Sequence, residues 1–141
     1  MNEQYFENIS TIEELIIAER NGFNVEFKTN RPEMPSAILL HESARKCNVV
    51  LLAYLISDRN MDINQLDEDE CSPLGYVLND DLLYEIKSGE ITTVNEGCND
   101  VLKILETIQV LKSHGAACIY NGEFYNEKWI SQYIEELKKQ L

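Results

Sequence analysis

The sequence predicts a single all-α domain. Its 141 residues are about the length of one compact domain, and a hydrophobic content of 44% with 26% charged residues is typical of a globular chain. Several segments repeat apolar residues at helical spacing between capping residues and glycine stops, whereas alternating, strand-like patterns are few and short. We therefore expect residues 1–141 to fold as one domain that needs neither a metal nor a disulfide.

The first predicted element is an N-terminal capping helix over about residues 10–21. Ser10 and Glu13 have the spacing of a capping box, in which the glutamate reaches back to the amide of the N-cap residue. Gly22 is a suitable stop for this helix. Its apolar positions are Ile12, Leu15, Ile16 and Ala18.

Two further helical segments are predicted in the middle of the chain. One begins near Ser36 and breaks near Cys47-Asn48, with apolar positions continuing to Ile56. The other has a clear start at Ser72-Pro73, since serine is a good N-cap and proline suits the first helical turn. Apolar spacing extends this second helix through Ile86.

The C-terminal third predicts two helices with a turn between them. A helix over Asp100–Ser113 is closed by Gly115, and the Asn-Gly pair within residues 119–124 indicates a tight hairpin turn. The last predicted element is a C-terminal capping helix over about residues 126–141. Its apolar face consists of Trp129, Ile130, Tyr133, Ile134, Leu137 and Leu141.

The segment from His41 to Leu78, HESARKCNVVLLAYLISDRNMDINQLDEDECSPLGYVL, resembles the ankyrin repeat. That pattern reads TPLHxAAxxGxxxxVxxLLxxGADxNxxDxxGxTPLHxA. His41 falls on its histidine, Asp62-Ile63-Asn64 on Asp-x-Asn, and Ser72-Pro73-Leu74 on the next Thr-Pro-Leu. Weaker similarities occur near residues 20–25 and 113–116, so that the resemblance extends over most of the chain.

The sequence also departs from the ankyrin pattern. Cys47, Asn60 and Glu70 replace motif glycines, and Gly75 replaces the second histidine. The second unit carries an insertion, at about residues 79–99. The resemblance implies a clear repeat at about 36–71, a second repeat at about 72–118, and an α-solenoid of stacked helix pairs with capping helices and short hairpin or finger loops. It also implies protein binding through the loops and the concave face.

The acidic balance restricts the class of partner. Twelve basic and 25 acidic side chains give a formal charge of 12 − 25 = −13 and a pI near 4.5. Duplex DNA selects basic surfaces that release its counterions, and an anionic membrane repels an acidic protein. We therefore expect neither nucleic acid nor membrane as a partner. A basic protein is the expected counterpart, while a neutral small molecule and a cation remain open.

The densest carboxylate run, residues 67–70, lies beside the interrepeat loop and supplies half of the candidate binding residues. Residues 58–69 also resemble a calcium loop, but Ile63 stands where that loop needs glycine and Asp69 where it needs glutamate. A solvated loop tip and a recognition patch are the alternatives to calcium. The candidate partner-binding residues are Asp58, Asp62, Asp67, Glu68, Asp69, Glu70, Tyr76 and Tyr84.

Catalytic chemistry has little support in the sequence. No phosphate-binding, dinucleotide-binding or zinc-protease motif is present, and no nucleophile is paired with His41, for which we predict structural hydrogen bonds to backbone. Cys71 lies beside acidic residues that raise the pKa of a thiol. An enzyme with a site in residues 79–99 remains a distant alternative. We expect no cofactor and no metal.

These observations favour a non-catalytic interaction module, in the form of an acidic inhibitor that neutralises a basic partner. An immunity protein for a toxin such as a nuclease has this size and charge. The alternative is an ankyrin-type effector or regulatory adaptor whose partner is not a toxin. The first ten residues, MNEQYFENIS, lack the pattern of a signal peptide, and the four cysteines form no CxxC pair, so that we expect a cytoplasmic protein.

Overall fold

The computed structural model describes residues 2–78, 98 and 100–141, and helices dominate these ranges. Seven helices are present there: α1 (Asn2–Asn8), α2 (Ile12–Arg20), α3 (Leu39–Arg45), α4 (Val49–Ser57), α5 (Pro73–Val77), α6 (Val101–Ser113) and α7 (Glu127–Lys138). Strands β1 (Cys118–Tyr120) and β2 (Glu123–Tyr125) form an antiparallel sheet between α6 and α7 in the chain. Within these ranges, no helix has the length and apolar character needed to cross a membrane.

The prediction of an all-α, ankyrin-like solenoid is wrong. The described residues are mostly helical, but they include a two-stranded sheet and do not form a clear ankyrin solenoid. The Asn-Gly turn predicted between residues 119 and 124 is confirmed, and it joins strands that belong to the core. Cys118 and Tyr125 are buried, and β1 packs against α5. The predicted hairpin therefore contributes Cys118 and Tyr125 to the core, whereas the predicted fold class was all-α.

The N-terminal helices differ in detail from the predicted capping helix. Thr11, one residue later than expected, caps α2 by accepting a hydrogen bond from the N–H of Glu14. The Glu14 carboxylate accepts a hydrogen bond from the N–H of Ser10. A reciprocal cap therefore exists, but it uses Thr11 and Glu14 in place of the predicted Ser10 and Glu13. The preceding helix, α1, was not predicted. It contributes the buried side chain of Phe6 to the core.

Helices α3 and α4 pack against each other across a sharp break. Cys47 has a φ of 54°, in the left-handed region, and the side chain of Asn48 then caps α4 through the N–H of Leu51. The predicted break at these two residues is confirmed. Helix α3 begins at Leu39, three residues after the predicted start, because Ser36 also has a positive φ of 62° and cannot lie within a right-handed helix.

Helix α5 is short. Ser72 caps it as predicted and Pro73 occupies its first turn, but the helix ends at Val77 because Leu78 has extended dihedral angles. The predicted continuation of this helix through Ile86 lies outside the described residues. Helix α5 packs on α3, α6 and β1, which places its five residues in the middle of the protein.

The C-terminal helices complete the core. Asp100, predicted as the first residue of its helix, is the N-cap of α6, and Asn126, at the predicted start of the last helix, caps α7. Helix α6 packs against α4, α5 and α7. The buried hydrophobic residues of these two helices are Ile104, Ile108, Leu111, Ile130, Tyr133 and Leu137. Of the apolar face predicted for the last helix, Trp129 and Ile134 are half-buried, whereas Leu141 lies beyond the end of α7 and is 68% exposed.

Candidate protein-binding surface

Residues 67–70, here called the acidic loop, are organised by one buried carboxylate. Asp67 is only 6% exposed, and its Oδ1 accepts hydrogen bonds from the N–H groups of Asp69 (3.0 Å) and Cys71 (2.9 Å). The hydroxyl of Tyr76 donates a short hydrogen bond to the other oxygen of Asp67. Asp67 thus stabilises the loop conformation, and it does not offer its carboxylate to a partner.

Tyr76 has the same structural role. Its ring is half-buried and meets the ring of His41 edge-on, with 5.7 Å between the ring centroids. Burial, followed by the hydrogen bond to Asp67, raises the pKa of the Tyr76 phenol far above its usual value, so that the hydroxyl remains a donor. Of the predicted binding residues, Asp67 and Tyr76 therefore face inward.

His41 supports the acidic loop from below. Its Nδ1 accepts a hydrogen bond from the N–H of Ile38 (3.1 Å), and its Nε2 lies 2.8 Å from the carbonyl oxygen of Gln65 and 3.2 Å from that of Cys71. The first contact requires an unprotonated Nδ1 and the others a protonated Nε2, which fixes the neutral tautomer. Burial lowers the pKa of His41. The structural hydrogen bonds predicted for this histidine are confirmed.

The remaining residues of the acidic loop are exposed. Glu68, Asp69 and Glu70 all present their side chains to solvent. Within the described part of the chain, no ion pair with lysine or arginine involves a carboxylate of the acidic loop. Three adjacent carboxylates therefore carry charge that the surrounding described residues do not neutralise.

The acidic loop is held at both ends. On one side, the N–H of Glu68 donates to the carbonyl oxygen of Pro35 (2.9 Å), and the hydroxyl of Ser36 donates to the Glu68 carboxylate (2.9 Å). On the other side, the carbonyl oxygen of Glu70 accepts from the N–H of Gly122 at the hairpin turn (3.1 Å). A Cβ on Gly122 would lie 2.5 Å from Oε2 of Glu70, which shows how closely loop and hairpin meet.

The hairpin extends this surface with residues that the sequence analysis did not select. Glu123 is exposed, and Phe124 is 67% exposed, next to the turn that contacts Glu70. The Asn-Gly signal predicted the turn, but no sequence signal placed the turn against the acidic loop. We call Glu68–Glu70 together with Glu123 and Phe124 the acidic face.

Two other predicted residues lie outside the acidic face. Asp58 is exposed at the C-terminus of α4, where no hydrogen bond of its carboxylate is found among the described residues. Asp62 is exposed and accepts a hydrogen bond from the N–H of Asn64, whose own side chain bonds to the N–H of Ala117. Tyr84 lies outside the described residues, as does most of the 79–99 segment considered for an enzyme site.

Two of the side chains considered as calcium ligands have partners within the protein. Asp62 and Asn64 are engaged in local and interelement hydrogen bonds. Among the residues that the structure describes, no group of three or more histidine, cysteine, aspartate or glutamate side chains could hold a metal ion.

The structure describes all four cysteines and shows no disulfide among them. Burial raises the pKa of Cys71 to about 11 and that of Cys47 to about 12. For Cys71 the neighbouring carboxylates of Asp67 and Asp69 add to the effect of burial. The sequence predicted the direction of the Cys71 shift from the carboxylates alone, whereas burial is the larger cause. Neither thiol has the lowered pKa of a nucleophile.

Comparison with known proteins gives no assignment. The sequence matches no family model, and searches of curated proteins and of solved structures give no match either. The resemblance of residues 41–78 to the ankyrin pattern therefore stays a prediction, and the candidate surface is interpreted from its own geometry.

Proposed function

We propose that this protein is a non-catalytic binding module that recognises a basic protein through the acidic face. The observation that carries the proposal is the set of three exposed carboxylates, Glu68, Asp69 and Glu70, on a loop whose backbone is held from both sides. The positive charges of a basic partner are attracted to these carboxylates. Because hydrogen bonds already fix the backbone of the acidic loop in the free protein, the loop loses little entropy on association.

The charge of the whole chain favours fast and salt-sensitive association. A net charge of −13 on a protein of 16.3 kDa attracts a basic partner over distances of about a Debye length, roughly 8 Å at physiological ionic strength. By analogy with proteins of this size and charge, we infer an inhibitor of the immunity type, which covers the positively charged site of a toxic enzyme such as a nuclease. Four cysteines without a disulfide favour a reducing compartment, and we propose the cytoplasm.

Three described residues that could act in catalysis, His41, Cys47 and Cys71, are buried. Both ring nitrogens of His41 contact backbone groups, and the thiols of Cys47 and Cys71 are held in their neutral form. These features support binding over catalysis.

The proposal is tested with two variants, each of which removes three negative charges from a different part of the surface. One variant combines Glu68→Gln, Asp69→Asn and Glu70→Gln, and the matched variant combines Glu13→Gln, Glu26→Gln and Glu106→Gln, all exposed residues. Each variant changes the net charge from −13 to −13 + 3 = −10. Both are immobilised to capture partners from lysate of the source cells at low and at high salt, and captured proteins are identified and assayed for enzymatic activity with and without the chain.

The proposal predicts that a basic protein is captured by the wild type and the matched variant at low salt, and that the acidic-loop variant loses it. Inhibition of an activity of that protein supports the immunity interpretation. A partner that is acidic or neutral and is retained at high salt would instead identify an effector or adaptor, and it would contradict the charge-based mechanism.

A further inference from the structure

Among the described residues, one edge of the small sheet has no neighbouring strand. Ile119 in β1 directs its backbone away from β2: its N–H donates to Oγ of Ser72 (3.0 Å), and its carbonyl accepts from the N–H of Ser72 (2.9 Å). Phe124 is the residue paired with Ile119 in the antiparallel register. In such a pair both residues direct their backbone groups outward, so the N–H and C=O of Phe124 point to the other side of the hairpin.

No described residue pairs with Phe124 on that side. In the described part of the chain, its N–H and C=O have no hydrogen-bond partner, and its side chain is 67% exposed. An exposed strand edge with free backbone groups can pair with another chain, and a large exposed aromatic side chain gains free energy when it is covered. The backbone and the side chain of Phe124 thus both favour an added strand.

The side chains along β2 indicate what such a strand would contain. Successive residues of a strand point to opposite faces, so Glu123 and Phe124 lie on different faces of the hairpin. Residues of an added strand share the face of the β2 residue beside them. A strand with an apolar side chain beside Phe124 and a basic one beside Glu123 would complement both, and Glu70 at the hairpin turn adds negative charge.

We propose that an extended segment of the basic partner, with basic and apolar side chains in alternation, pairs with the open edge of β2 as a third strand. Its backbone exchanges two hydrogen bonds with Phe124, an apolar side chain covers the Phe124 ring, and lysine or arginine side chains meet Glu123 and the acidic loop. This inference rests on the proposed function because the same acidic face attracts the partner. A second copy of this chain does not fit, since it would bring the same negative charge to the edge.

The test uses the full chain and two synthetic probes. The first probe is a short capped peptide in which lysine or arginine alternates with valine. The second has the same sequence with N-methyl groups on alternate amides, along the edge that would face β2. Its charge and side chains are retained, but the N–H donors on that edge are lost. Binding is followed by amide chemical shifts and hydrogen exchange at low salt.

Strand addition predicts that the first peptide shifts the Phe124 amide, slows its exchange and binds about tenfold or more tightly than the N-methylated peptide. Phe124→Ala should weaken the binding of the first peptide by a similar factor. Leu102→Ala, at another exposed apolar residue (59% exposed), should leave binding unchanged.

The possible failures are distinguishable. Equal binding of both peptides, with shifts confined to Glu68–Glu70, would overturn strand addition and leave charge recognition by the acidic loop intact. Binding that is unaffected by Glu68→Gln, Asp69→Asn and Glu70→Gln would instead contradict the proposed function. Absence of binding by either peptide would also overturn strand addition, because the edge would then be protected against pairing.

Discussion

Ser72 and Ile119 join the helical part of the protein to the hairpin. The N–H of Ser72 donates to the carbonyl oxygen of Ile119 (2.9 Å), and the N–H of Ile119 donates to Oγ of Ser72 (3.0 Å). The same Oγ caps α5 by accepting from Gly75, and it donates to the carbonyl oxygen of Ala117 (2.7 Å). One buried hydroxyl therefore determines where the hairpin lies, and with it the position of the turn that contacts the acidic loop.

Ser72→Ala should destabilise the protein strongly. The substitution removes a helix cap and leaves the partly buried N–H of Ile119 without its acceptor, which together cost about 2–4 kcal/mol. Urea unfolding measures the loss. Thr11→Ala is the control, because it removes an exposed cap with a single backbone contact and should cost only about 1 kcal/mol. Equal losses for the two variants would show that Ser72 acts as a cap alone.

Gly75→Ala should displace the hairpin. A Cβ at this position would lie 1.9 Å from the carbonyl oxygen of Ile119, so that backbone must move. We expect a loss of more than about 3 kcal/mol, or a folded protein with altered hairpin signals. Gly115→Ala is the comparison, since a Cβ there meets nothing within 4 Å and only its φ of 83° is unfavourable. A Gly75→Ala variant with normal stability and unshifted hairpin amides would contradict the close packing of α5 on β1.

The Glu70→Gly variant should be more stable than the Glu70→Ala variant. Its φ is 57°, in the left-handed region that costs about 1–2 kcal/mol for a residue with a Cβ, and glycine avoids that cost. At Glu68, which lacks a positive φ, we expect the opposite order because glycine adds entropy to the unfolded chain. Thermal unfolding of the four single variants checks the two orders. The same order at both positions would exclude a left-handed Glu70.

His41 should make stability depend on pH in mild acid. Its pKa is lowered in the folded state, so its contribution is complete above the unfolded value of about 6.5 and is lost as the pH falls from there toward the folded value. The free energy of unfolding of the wild type should therefore fall more steeply below about pH 6.5 than that of His41→Gln, by up to about 1.4 kcal/mol per pH unit. Parallel curves for the two proteins would show that His41 becomes protonated without cost.

Local signals in the sequence predicted helix termini well. The cap at Ser72, the helix starts near Asp100 and Asn126 and the turn at Asn121-Gly122 depend on residues next to one another, and the structure has all four. Helix α1 was missed because its apolar residues are few and become informative only when Phe6 is placed in the core. The end of α5 at Val77 could not be predicted, since the apolar spacing continues beyond it.

The candidate surface was predicted in part. Sequence alone identified the acidic run, but it could not distinguish the buried Asp67 from its exposed neighbours, because that difference arises from hydrogen bonds to Tyr76 and to the backbone of Cys71. The contribution of Phe124 was missed for a similar reason. Its place beside the acidic loop depends on the contact of Gly122 with Glu70, which joins segments far apart in the chain.

The most direct test of the central claim is the association rate constant with the captured partner, measured by stopped flow over a range of salt concentrations. For the wild type and the matched variant (Glu13→Gln, Glu26→Gln and Glu106→Gln), we expect a fast rate that falls about tenfold or more between low and high salt. For the acidic-loop variant (Glu68→Gln, Asp69→Asn and Glu70→Gln), we expect a slower rate with a weaker salt dependence. A rate that does not change with salt, or an equal slowing by the two variants, would contradict recognition of a basic partner through the acidic face.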